Sequence, residues 1–123
     1  MELVLIESTK NSPRVEINSE GEITMKGRCF IEDSFIFFMP VLQCFKTHIF
    51  RSVKIDIQLE YLNTSGLVQI YGLFTLVKEK YGKDHISINW FYEEGDEDIF
   101  EVGKTIESQI NLPFNFFEYV EIV

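Results

Sequence analysis

Two adjacent hydroxyls stand where a strand pattern gives way to a helix pattern, in Leu62-Asn63-Thr64-Ser65-Gly66. The first turn of a helix has backbone N–H groups without intrahelical partners, and its dipole favours negative charge. A polar side chain at that place is a natural N-cap, and a phosphate is well received there. As structure alone, one of Asn63, Thr64 or Ser65 caps the helix. No Glu or Gln stands three residues on from any of them, so no capping box selects one. As chemistry, the turn reads as a phosphoacceptor: Thr64 is the expected switch residue, Ser65 stays open as the alternative, and Leu62, Asn63, Ser65 and Gly66 shape the surroundings. A phosphate adds about −1.5 to −2 charge and three acceptor oxygens, so it changes the face that a partner meets.

The other concentration of reactive groups is acidic: Glu93-Glu94-Gly95-Asp96-Glu97-Asp98. The EF-hand spacing is absent, so a calcium loop of that type is not supported. The run reads first as a solvated loop that brings carboxylates to the start of the next helix. A partner-binding surface through Tyr92, Glu93 and Asp96, or a divalent-cation or small-ligand site, stays open as an alternative. Catalytic signatures are missing. The seven glycines form no GxGxxG and no P-loop, and no GxSxG elbow occurs. His48 and His85 read as having no nearby Cys or His at ligand spacing. Cys29 and Cys44 form no CxxC and read as two buried thiols. No cofactor is expected, and an enzyme is the least expected class.

Elements that would position these groups are legible from periodicity. Residues 3–6 read as a first strand, and 14–18 with 22–28 as a hairpin around Asn18-Ser19-Glu20-Gly21. A helix over about 33–50 carries Phe38, Leu42, Phe45 and Ile49 on one face. Pro40 must kink it or follow an irregular first turn. Val53, Ile55, Ile57, Leu59 and Tyr61 alternate with polar residues in the clearest strand. The next helix spans 65–81, with Leu67, Ile70, Tyr71, Phe74, Val77 and Tyr81 as its stripe and Gly82 as its stop. A strand over 85–92, a helix over 95–110 and a strand over 114–121 complete the order βββαβαβαβ.

Strand–helix–strand units favour parallel pairing through right-handed crossovers. A sheet covered on both faces would have near-continuous apolar strands, whereas these alternate. The expectation is therefore an α/β two-layer sandwich: a mixed sheet with its helices mainly on one face. If the later strands are parallel, the turn at Asn63-Thr64 and the loop from Tyr92 to Asp98 share one end of the sheet. They would then form a composite surface.

Length and charge bound the rest. The 123 residues fit one domain over 1–123, and twelve Phe supply core material. The net charge of −9 repels phosphate backbones and argues against nucleic-acid binding. No apolar run approaches the roughly 20 residues of a membrane span, and the start Met1-Glu2-Leu3 lacks a basic leader. A cytoplasmic protein without a membrane anchor is the expectation.

Three blocks carry a resemblance: residues 30–40 (FIEDSFIFFMP), residues 59–65 (LEYLNTS) and residues 90–98 (WFYEEGDED). In order and spacing, over most of the chain, they resemble the SiaC-family regulatory phosphoproteins. That family is similar to the STAS-type anti-sigma-factor antagonists, whose Asp-Ser-Ser-Gly-like turn carries the phosphorylated hydroxyl. Here the turn reads Asn63-Thr64-Ser65-Gly66, with Asn for Asp and Thr for the first Ser, which suits the SiaC pattern. The resemblance implies a STAS-like fold and a bacterial partner switch. A serine/threonine kinase of the histidine-kinase-like ATPase type would phosphorylate Thr64, and a metal-dependent serine/threonine phosphatase would reverse this. The unphosphorylated form would bind and activate a diguanylate cyclase, raising cyclic di-GMP and promoting biofilm. An anti-sigma factor is the alternative target.

Overall fold

The computed structural model describes residues 1–121, so the last two positions of the expected domain, 122 and 123, lie outside the described residues. The strands are β1 (Glu2–Ile6), β2 (Arg14–Asn18), β3 (Glu22–Cys29), β4 (Val53–Leu62), β5 (Ile86–Glu93) and β6 (Phe114–Tyr119). The helices are α1 (Ser34–Thr47), α2 (Thr64–Tyr81) and α3 (Glu97–Ile110), with a short 3-10 turn at Lys83–His85.

The sheet order is β1-β2-β3-β4-β5-β6, the order of the chain itself. β1 to β3 pair antiparallel, and β3 to β6 pair parallel. Each parallel strand is added on the same side as the one before. Crossovers of one hand then put α1, α2 and α3 on the same face. The alternation in the strands has the same cause. Val15, Ile17, Ile23, Met25, Val53, Ile55, Ile57, Leu59, Ile88 and Trp90 are buried under the helices. The opposite face carries polar pairs, where Asn89 Nδ2 donates to Asp56 Oδ1 at 2.7 Å and Asn115 Nδ2 donates to Asn89 Oδ1 at 3.0 Å, beside the stacked rings of Phe91 and Phe117. Because the strand order never reverses, the sheet has no switch point of the kind at which doubly wound folds bind nucleotides.

Trp90 anchors α3 to the sheet. Its side chain is fully buried, and Nε1 donates to the Ile99 carbonyl at 3.0 Å. The helix comes so close that a methyl group at Gly103 would lie 2.6 Å from Trp90 Nε1, so only glycine fits there.

Three local expectations need correction. α1 ends at Thr47, not Phe50, and buries Ser34, Phe38, Val41, Cys44 and Phe45. Leu42 is only half-buried, and Ile49 lies beyond the helix, 89% exposed. The helix stops where Lys80 of α2 reaches across, its Nζ donating to the carbonyls of Phe45 and His48. Pro40 stands inside α1 on its exposed side. Tyr61 continues the alternation of β4 but is 44% exposed. A register shift pairs Gly27 with Leu59 but Arg28 with Tyr61. Tyr61 thereby leaves the core and stacks on Phe30, ring centroids 4.1 Å apart.

Candidate functional site

α2 begins at Thr64, and Asn63 is its N-cap. The choice left open by spacing falls on the residue with two useful ends. Asn63 Oδ1 accepts from the Gly66 amide at 2.9 Å, and Nδ2 donates to the Ile31 carbonyl at 2.9 Å. One end caps α2 and the other ties it to the connection between β3 and α1. The first intrahelical bond of α2 runs from the Leu67 amide to the Asn63 carbonyl. The amides of Thr64 and Ser65 therefore precede the helical ladder and point out of the helix start.

Thr64 and Ser65, identical in chemistry, have different surroundings. Thr64 is exposed. Ser65 Oγ lies against Ser34 Oγ and donates to the Glu32 carbonyl at 3.2 Å. Ser34 Oγ in turn donates to the Ser65 carbonyl at 2.7 Å. Ser34 is 1% exposed, the one buried polar residue among the described residues. The turn is also seated from below. Gly66 is buried, and a methyl group there would lie 2.5 Å from Cys29 Sγ and 2.9 Å from Leu62 Cδ1. Burial pushes the Cys29 thiol above its ordinary pKa, so it remains a neutral packing group. Leu62, Asn63, Ser65 and Gly66 thus all gather at Thr64. Cys29, Ile31, Glu32 and Ser34 join them from 31 to 34 residues away in the chain. Sequence reasoning did not assign the last four a role. Cys29 was read only as a buried thiol, and the one signal of Ile31, Glu32 and Ser34 was the block over residues 30–40, which carries no periodic clue to long-range pairing.

The acidic loop follows β5. Asp96 is the N-cap of α3, its Oδ1 accepting from the Ile99 amide at 3.0 Å, and Glu97 and Asp98 occupy the first turn. This is the dipole arrangement expected from the acidic run. Tyr92 packs against Phe100 with centroids 4.9 Å apart, and the Glu93 carbonyl accepts from the Asp96 amide at 2.9 Å. A shallow groove of about 190 Å³ is lined by Tyr92, Gly95, Asp96, Glu97, Phe100 and Glu118.

β4 and β5 are parallel neighbours, so the Thr64 turn and the 92–98 loop lie at the same end of the sheet. The last pairing of β4 with β5 is Gln58 with Phe91, whereas β4 stays paired with β3 as far as Leu62 with Cys29. The turn therefore leans towards the β3–α1 connection, and its hydrogen bonds go there.

Sequence comparison decides the family. The profile of the SiaC family regulatory phosphoproteins matches residues 6–119. The chain belongs to this family. An uncharacterized protein of Pseudomonas aeruginosa strain UCBPP-PA14 is 25% identical over 114 residues, covering 89% of this chain and 90% of that one. The fold agrees with solved structures of the family. SiaC of P. aeruginosa, crystallised with the diguanylate cyclase SiaD that it activates, superposes with a TM-score of 0.85 at 22% identity. That match covers 94% of this chain and 99% of SiaC. A second structure of P. aeruginosa SiaC gives 0.84 at 22% identity, over 97% of this chain and 99% of that one. The family match spans both the Thr64 turn and the β3–α1 connection that holds it.

The metal readings find little support in the geometry. His48 does lie beside a potential ligand, since Cys44 Sγ is 3.9 Å from its Nδ1 at a spacing of four residues. Among the described residues, however, no group of three His, Cys, Asp or Glu side chains could hold an ion. No helix among them is long and apolar enough to cross a membrane.

Proposed function

We propose that this chain is a cytoplasmic, non-catalytic partner switch whose unphosphorylated form binds and activates a diguanylate cyclase. Thr64 is its phosphoacceptor. A serine/threonine kinase of the histidine-kinase-like ATPase type adds the phosphate, and a metal-dependent serine/threonine phosphatase removes it. The observation that carries this reading is the contrast within the turn: Thr64 is exposed on the first residue of α2, and Ser65 is held by Ser34 and Glu32. Family membership supports the regulatory role, and SiaC of P. aeruginosa supplies the kind of partner.

The physical mechanism is local. The first turn of α2 contains no acidic residue, so a phosphate on Thr64 is the first negative charge within that turn. The amides of Thr64 and Ser65 and the helix dipole receive it on the protein's side. On the partner's side it must be desolvated or expelled. Leu62, Asn63, Ser65 and Gly66 fix the position of that charge. Tyr92, Glu93 and Asp96, at the same end of the sheet, extend the docking surface.

Isothermal calorimetry with a diguanylate cyclase, paired with an assay of cyclic di-GMP synthesis, tests the proposal. Thr64→Ala should bind and activate as the unmodified chain does. Thr64→Asp should bind at least tenfold more weakly, as a loss of about 1.4 kcal/mol or more implies. Equal affinity of the two variants would overturn the switch.

A further inference from the structure

We infer that Ser34 is a specificity-determining residue: it withholds the Ser65 hydroxyl from phosphoryl transfer and so confines modification to Thr64. The inference rests on the proposed switch at this turn and says how that switch keeps to one site. Two hydroxyls stand side by side at the start of α2, equally suited by residue type to accept a phosphate. They differ in what they touch. Ser65 Oγ has one proton, and it is directed at the Glu32 carbonyl and at Ser34 Oγ. Ser34 cannot turn away, because it is buried and its own proton is committed to the Ser65 carbonyl at 2.7 Å. The pair closes a ring in which the side chain of each serine holds the other. Asn63 reinforces it through the Ile31 carbonyl one residue upstream of Glu32.

Phosphoryl transfer requires the opposite arrangement. The acceptor oxygen bonds to the γ-phosphorus of ATP, and the bond to the bridging oxygen breaks, ADP leaving with the electron pair. The hydroxyl proton passes to a base on the kinase. An acceptor must therefore present its oxygen in line with the phosphorus and its proton to that base. Thr64 can do both from the surface. Ser65 must first break its contacts with Ser34 and Glu32, and its oxygen is turned towards the β3–α1 connection. Removal of the Ser34 hydroxyl leaves Ser65 with the Glu32 carbonyl alone and frees it to rotate outward.

The test compares the unmodified chain with Ser34→Ala, Thr64→Ala and the double variant. Each is incubated with ATP and an extract of the cells from which the chain comes. Tandem mass spectrometry of the peptide over residues 55–78 then locates the phosphate. The unmodified chain should bear phosphate on Thr64, and Thr64→Ala should bear almost none. Ser34→Ala should raise the Ser65 share about tenfold, the scale of one lost hydrogen bond, and the double variant should be phosphorylated on Ser65. Ser34→Thr, which retains a hydroxyl, should restore the Thr64 preference, and circular dichroism checks that each variant is folded. Phosphate on Thr64 alone in a folded Ser34→Ala chain would overturn the role of Ser34. Absence of phosphate from the peptide in every sample, the unmodified chain included, would instead overturn the switch itself.

Discussion

α2 and α3 begin at the same place in the architecture, each just beyond the end of one of two neighbouring parallel strands. Both have a polar N-cap whose side-chain oxygen accepts from the amide three residues on. They differ in charge and in anchorage. α3 starts Asp96-Glu97-Asp98 and answers its own dipole with three carboxylates. α2 starts Asn63-Thr64-Ser65, answers it with none, and is tied to a distant connection by Asn63, Ser65 and Ser34. A helix start already saturated with negative charge has little to gain from one more. One that is neutral and rigidly held registers the arrival of a single anion at a defined point.

The largest test of this contrast moves charge in both places. Thr64→Glu should weaken the proposed cyclase binding by about 3 kcal/mol, because it creates an unpaired charge at the proposed docking surface. Glu97→Gln, which removes one of several carboxylates from α3, should change the same calorimetric affinity by less than about 1 kcal/mol. Comparable losses would erase the distinction between the two helix starts.

Packing gives the next test. Gly66→Ala drives a methyl group against Cys29 and Leu62 and should cost about 2 kcal/mol in a urea unfolding experiment. Gly72→Ala, in the same helix with open space around it, should stabilise by up to about 1 kcal/mol. Equal effects would mean that the seat under the turn is soft.

The smallest effect compares the caps. Asn63→Ala loses a cap and a tether and should cost about 2 kcal/mol, whereas Asp96→Ala loses a cap alone and should cost about 1 kcal/mol. Chemical denaturation midpoints resolve that difference, and equal values would show that the bond to Ile31 contributes nothing.

Much of the fold was legible because its rules are local. Alternation in 53–61 and 85–92 implied a one-sided sheet, and chain-order strands under crossovers of one hand produce that arrangement. The stripe of α2 and the stop at Gly82 were equally readable, and the Gly82 amide does donate to the Lys78 carbonyl at 2.9 Å. The misreadings came from interactions between distant residues. Lys80 ends α1 early and leaves Ile49 outside, and a register shift against β3 turns Tyr61 out of the core. The candidate site divides in the same way. Asn63 to Gly66 stood out as a strand-to-helix junction, but the partners from Cys29 to Ser34 did not. Serines and carbonyls more than 30 residues apart leave no periodic trace of the bonds they will form.

Every side-chain hydrogen bond that fastens the Thr64 turn joins residues between Cys29 and Gly66. On the ribosome, each group that shapes this segment has been joined to the chain before the α3 codons are read, and every new strand finds its neighbour already made. The turn proposed to take the phosphate is thus framed early in synthesis, and the acidic helix start is added afterwards beside it.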